Sequence, residues 1–169
     1  MKRIFPVAVA VIAAAAVFSG IWFFFRDSDE KRIRRTLTEL CDMGSKSSGE
    51  NPAVSALKSN RADHVFAPKC HFDFGLNAMD GVLTPTEIGA RLLRIRGMFQ
   101  WIKLDFSDLS VSVAGEEARV FFSGSLKGRI QHGNAGEVDE IREIDGELAR
   151  QPDGRWKFTR MSFRQILEK

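Results

Sequence analysis

The chain has 169 residues, 44% of them hydrophobic, which suits one folded core with an appendage rather than two cores. Its formal charge of +3 does not indicate a nucleic-acid binder, because Lys2, Arg3 and Arg26 supply the whole excess and basic and acidic residues are equal in number from Asp27 onward. Cys41 and Cys70 have no metal-ligand spacing, and no phosphate-binding glycine loop or cofactor signature occurs, so neither a metal nor a cofactor is expected.

Residues 4–25 carry no charge, and an apolar run of about 20 residues is long enough to cross a bilayer as a helix. A cleaved signal peptide is the competing reading. Its apolar region would be shorter, about 7 to 15 residues, and would end in small residues, whereas Ser19 and Gly20 lead into IWFFF. The preferred division is therefore an anchor over 1–26 and a domain over 27–169, with Trp22 at the membrane interface. Arg26, Lys31, Arg32, Arg34 and Arg35 favour a cytoplasmic domain if counted naively. Discounting those that belong to a folded helix leaves Lys2 and Arg3 on the inside and the domain in the periplasm or another extracytoplasmic space.

Asp27 and Glu30 are spaced as a capping box, and Ile33, Leu37, Leu40 and Cys41 follow at helical spacing to an end near Gly44. Asn51 and Pro52 open a second helix whose inner face is read as Val54, Leu57, Arg61 and Ala62. Phe66 and Ala67 close it, and Pro68 stops it. Cys70, Phe72 and Phe74 then alternate with His71 and Asp73 as a half-buried strand. Thr84, Pro85 and Glu87 combine a cap, a first-turn proline and a capping-box glutamate, opening a third helix with Ile88, Leu92, Ile95 and Phe99 inward. Arg91, Arg94 and Arg96 read as its solvated face, with an anion or lipid-headgroup site as the alternative.

From Trp101 the period becomes two. Ile102, Leu104 and Phe106 alternate, the phase slips at Ser107–Asp108 as in a β-bulge, and Leu109, Val111 and Val113 continue. Ala118, Val120, Phe122, Gly124, Leu126, Gly128 and Ile130 share one parity of the next strand, whose glycines suit a curved sheet with something close to its backbone. Residues 137–149 are strongly acidic, and the strands on either side are basic, which predicts a meander with the acidic strand in the middle.

A helix ending in Phe66-Ala67-Pro68, a short strand with an acid near its end, a third helix and four long antiparallel strands resemble the nuclear-transport-factor-2-like (NTF2-like) superfamily, in particular its SnoaL-like branch. The resemblance covers about residues 29–166. It implies an α+β fold in which three helices pack on a strongly curved antiparallel sheet to form a cone, used by some members for catalysis and by others for binding or dimerisation. One anchor followed by one such domain also resembles the VirB8-like components of envelope secretion complexes.

In catalytic relatives such as ketosteroid isomerases the base is an acid on the short strand, pointing into the cone. Here Asp73 has the outward parity and would need a bulge to turn inward. Glu140 and Arg142 share the parity of Ile144 and Leu148; either both enter the cone as a pair, or a bulge near Val138 and Ile141 sends both out. Phe72, Phe74, Trp101, Phe122, Trp156 and Phe158 are either the walls of an apolar pocket or core. His64, His71 and His132 form no catalytic arrangement by spacing. Cys41 and Cys70 read as buried thiols, or as a disulfide if the domain is exported.

The expected function is a non-catalytic, membrane-tethered binding or scaffold module for a partner protein or small apolar ligand. A SnoaL or ketosteroid-isomerase-like enzyme using Asp73 or Glu140 is the alternative, and a VirB8-like component is a third. Phe121, Met161 and Phe163 are placed on the outer sheet face and suggest a homodimer through it.

Overall fold

The computed structural model describes residues 29–75, 80–131 and 136–165. The expected anchor, Asp27 and His132 lie outside the described residues. Among those described, no helix is long and apolar enough to cross a membrane.

Helix α1 covers residues 29–44 and buries Ile33 and Leu37 completely. Then follow α2 (Pro52–Ser59), the one-turn α3 (Ala62–Val65), β1 (Phe66–Asp73), β2 (Gly81–Leu83), α4 (Pro85–Met98), β3 (Phe99–Ala114), β4 (Glu117–Ile130), β5 (Glu137–Arg150) and β6 (Trp156–Gln165). The six strands form one sheet in the order β2-β1-β6-β5-β4-β3, antiparallel except where β1 runs parallel to β6. The helices cover one face and enclose a core of aromatic and branched side chains, so the expected α+β cone is formed, on a mixed sheet where a wholly antiparallel one was expected.

The helix starts follow the caps. Asn51 Oδ1 accepts from the Ala53 N–H at 2.8 Å, with Pro52 in the first turn. At α4, Thr84 Oγ1 accepts from the Glu87 N–H while the Glu87 carboxylate accepts from the Thr84 N–H at 2.8 Å, a reciprocal capping box. Close packing fixes the glycines. A Cβ on Gly128 would meet the Phe99 ring at 2.8 Å and one on Gly146 would meet the Phe158 ring at 2.8 Å, so neighbouring rings occupy the space that a side chain would take. At Gly89 a Cβ would sit 2.7 Å from the Ser59 carbonyl oxygen, which is backbone and cannot swing aside. Gly89→Ala is therefore expected to push α4 off α2 and destabilise by about 1 to 3 kcal/mol. Urea unfolding with no loss would show that the helices slide freely.

Five further expectations about the fold are corrected. Phe66 and Ala67 begin β1 instead of ending a helix, since the break falls at Asn60–Arg61 and leaves α3 only one turn long. Gly81–Leu83, read as loop, forms β2 against Cys70–Phe72. On α2 the packed face is Ser55 and Ser59, while Val54 and Leu57 are 43% and 66% exposed. On α4 the inward line is Ile88, Leu92 and Arg96, and Ile95 is 44% exposed. Finally, Met161 and Phe163 lie on the helix-covered face of the sheet. Thr159 is an extra residue in β6, between the pairs Glu147↔Arg160 and Leu148↔Phe158, and its hydroxyl donates to the Glu147 carbonyl at 3.1 Å. That bulge reverses the alternation, so Trp156 and Phe158 before it and Met161 and Phe163 after it all point inward.

The expected bulge in β3 is present: the register jumps between Ser107 and Ser110, and Asp108 has φ 55. The acidic β5 lies between β4 and β6, with Lys127–Asp139 at 3.1 Å, Arg129–Glu137 at 2.7 Å, and Glu147 between Arg119 and Arg160.

Candidate functional site

The interior of the cone is filled by side chains. Phe66 packs against Phe72 and Phe158 with ring centroids 5.6 and 6.1 Å apart, and Phe74 stacks on Phe163 at 4.6 Å and on Phe72 at 5.8 Å. Phe72, Phe122, Trp156 and Phe158 belong to this buried core. Phe74 is half-buried at its edge. Trp101 is on the other face: a register shift between Phe99 and Trp101 pairs it with the exposed Arg129, while Ile102 turns inward.

The polar positions do not converge on this interior. Asp73 is exposed at the end of β1 and accepts a hydrogen bond from the Gly75 N–H at 3.0 Å, as a carboxylate does in a turn. Asp80 Oδ1 holds the neighbouring Phe74 N–H at 2.7 Å. Glu140 and Arg142 stand opposite Leu126 and Gly124 in unbroken register, so no bulge occurs and both have the inward parity. They reach solvent at the far end of β5 and pair with each other at 3.1 Å. His71 is exposed, and His64 faces Asp63 at 3.7 Å. No group of acids, histidines and cysteines able to hold a metal occurs among the described residues.

Cys41 and Cys70 are both free thiols. Cys41 feels the charge of Asp105 on β3, whereas Cys70 is buried in β1, and three strands separate β1 from β3. Burial, aided by Asp105, pushes the Cys41 thiol up to about 11, and burial pushes Cys70 up to about 12. The thiolate is the reacting form, so a disulfide reagent at pH 8 is expected to modify Cys70 only on unfolding and Cys41 far more slowly than a free thiol. Rapid labelling of both in the native protein would contradict this packing.

Charge is concentrated under the helices instead. Arg96 on α4 is 1% exposed, and its guanidinium donates to the Met43 and Ser45 carbonyls, the Glu50 carboxylate and Ser55 Oγ. Ser55 Oγ in turn donates to Glu50 at 2.6 Å, and Lys58 approaches the same carboxylate at 3.4 Å. Desolvation pushes the Glu50 carboxyl up, but the Ser55 hydrogen bond and the Arg96 and Lys58 charges outweigh it and hold the group below its ordinary range. The Lys46 ammonium donates to the Arg96 and Phe99 carbonyls at 3.0 and 2.7 Å, closing the C-terminus of α4. A groove of about 590 Å³ lies above this cluster, lined by Lys46, Glu50, Ser55, Leu93, Gln100 and Gln131 among others.

A second cluster fixes the start of α1. The Asp29 carboxylate accepts from Arg150 at 2.5 Å and from Trp156 Nε1 at 3.3 Å, and the Arg150 guanidinium lies 5.0 Å from the centre of the Trp156 ring. Sequence reading missed both clusters. The available signal for the first was the four-residue spacing of Ile88, Leu92 and Arg96, which puts a cation in line with an inward stripe.

No protein-family profile matches the chain, and no curated protein matches it. Solved structures do. The Kfla4162 protein from Kribbella flavida superposes with a TM-score of 0.70 at 15% identity, covering 85% of this chain and 94% of its own. An NTF2-like superfamily protein from Salmonella enterica gives 0.64 at 12% identity over 85% and 94%. A scytalone dehydratase candidate from Novosphingobium aromaticivorans gives 0.63 at 15% identity over 84% and 95%. At these identities the likeness concerns the fold, which is the NTF2-like cone.

Proposed function

We propose that this NTF2-like cone is a non-catalytic binding or scaffold module for a partner protein, held at a membrane by residues 4–25 with the domain on the extracytoplasmic side. The observation that carries this reading is the filled interior. A catalytic cone needs a base within hydrogen-bond reach of substrate, about 2.6 to 3.2 Å. The buried positions of the cone's interior include Cys70, Phe72, Phe122, Phe158 and Met161, while Asp73 is outside and Glu140, although of inward parity, is exposed and paired with Arg142. The same packing leaves an interior apolar ligand little room, so recognition falls to the surface. The dehydratase-like name of one structural neighbour keeps an isomerase or dehydratase as the alternative.

Asp73→Asn and Glu140→Gln are expected to shift stability by no more than about 0.5 kcal/mol, as exposed substitutions usually do. Neither should alter the background rate with a β,γ-unsaturated ketosteroid. A measurable isomerisation abolished by either variant would establish the enzyme reading instead. Tethering predicts that the full chain stays with membranes through a high-salt wash and that a chain beginning at Asp27 is soluble. Release of the full chain by salt would remove the anchor. An export-dependent reporter fused after Lys169 reads the side of the membrane, and an inactive reporter would place the domain inside.

A further inference from the structure

The free edge of β3 is finished differently in its two halves. In the first half, the outward N–H groups of Ile102, Leu104 and Phe106 and the Ile102 carbonyl are occupied. Ile102 exchanges hydrogen bonds with Lys46 at 2.7 and 3.0 Å, the Leu104 N–H donates to Ser45 Oγ at 2.9 Å, and the Phe106 N–H donates to its neighbour Asp105 Oδ1 at 2.9 Å. Lys103, Asp105 and the bulge at Asp108 add charge and a kink, the usual means of keeping an edge from pairing.

Beyond the bulge these devices stop. The strand reads LSVSVA from Leu109 to Ala114, with no charge and no proline. Ala114 and Glu117 flank the two-residue turn and so form a hydrogen-bonded pair, and by alternation Ser112↔Arg119 and Ser110↔Phe121 do likewise. Val111 and Val113 therefore direct their N–H and C=O groups outward from the sheet edge. Among the described residues nothing pairs with them. Their side chains are half-buried against the core, and those of Ser110 and Ser112 are exposed on the other face.

We propose that this half-edge pairs with the same segment of a second copy, antiparallel about a two-fold axis at Val111, joining two sheets into one. This rests on reading the chain as a protein-binding module and names the partner. The segment is self-complementary. With Val111 opposite its own copy, Leu109 falls opposite Val113, Ser110 opposite Ser112, and Asp108 opposite Ala114, so no like charges meet and apolar side chains meet apolar ones on one face. The bulge ends the pairable run on one side and the Gly115 turn ends it on the other. A run this short gives a small interface, so the dimer is weak and concentration-dependent.

The test uses the full chain in mild detergent. Hydrogen-bonded residues across an antiparallel pair have Cα atoms about 5.5 Å apart, within the span of a disulfide. Val111→Cys is expected to cross-link most molecules into dimers under copper-phenanthroline oxidation. Ser123→Cys, in the middle of the outer sheet face, should stay at background. Val111→Pro removes only an outward N–H, which an edge tolerates, and should weaken self-association at least about tenfold in sedimentation. If Val111→Pro fails to fold, the cysteine comparison decides. Cross-linking of Ser123→Cys in place of Val111→Cys would overturn the edge and put the dimer on the sheet face. A strictly monomeric wild type with neither variant cross-linking would overturn self-pairing, while a partner of different sequence would still satisfy the binding-module reading.

Discussion

Replacing Arg96 by leucine is expected to destabilise the domain by about 3 to 5 kcal/mol, although a leucine is what the apolar line of α4 would ordinarily take. The guanidinium ties the carbonyls ending α1, the loop leading to α2 and Ser55 of α2 to α4, and its removal leaves the buried Glu50 carboxylate with only Ser55 and Lys58. The loss comes chiefly from that stranded charge. Adding Glu50→Gln to Arg96→Leu should therefore recover a sizeable part of the single-variant loss in urea titrations, and strictly additive losses would refute the charge explanation. The pH dependence has a definite sign. The folded Glu50 carboxyl titrates below its ordinary 4.5, so its stabilisation is complete above that value and is lost as pH falls through the folded value. Arg96→Leu should flatten this acid limb.

The second large effect is expected at Phe158, where alanine should cost about 3 to 5 kcal/mol. The ring is fully buried, touches Phe66, and fills the space above Gly146. Phe74→Ala should cost clearly less, under about 3 kcal/mol, because that ring is half-buried and loses only its stacks on Phe72 and Phe163. Equal losses at the two positions would mean that Phe74 is as enclosed as the core. A loss near zero at Phe158 would mean that the cone holds a void.

Periodicity made much of the sheet legible. The alternation through β3 and β4, the phase slip at Asp108 and the acidic strand between basic neighbours could all be read locally, since side-chain direction there depends on counting by two. Caps at Asn51 and Thr84 were equally local. What escaped depends on distant partners. Nothing near Thr159 distinguishes an inserted residue from an ordinary strand position until Glu147 and Leu148 of β5 fix the register, and the slip misplaced Met161 and Phe163. Arg96 looked solvated because charge outweighs position in a one-dimensional reading, while the acceptors that satisfy its two terminal nitrogens come from Met43, Ser45, Glu50 and Ser55, some 40 to 50 residues earlier. The same network draws Ser55 inward and leaves Val54 and Leu57 outside.

The one parallel pairing in the sheet also sets an order of events. β1 lies between the three-residue β2 and the last described strand, and it meets β6 with Phe66 beside Phe158 and Phe72 beside Met161. Its aromatic side is covered in part by Ile88 and Leu92 of α4, made shortly after it, and the cover is completed only by β6. The helices and β1 must wait for a partner about ninety positions away, and Asp29 for Arg150 and Trp156 still further on. Closing so long a loop before its contacts form is entropically unfavourable, so the β3–β4–β5 meander is expected to assemble first and the closing strand to dock the two halves together. A chain cut before Trp156 would keep its hairpins and its helices but present Phe66, Phe72 and Phe74 to solvent, a ready substrate for chaperones and proteases.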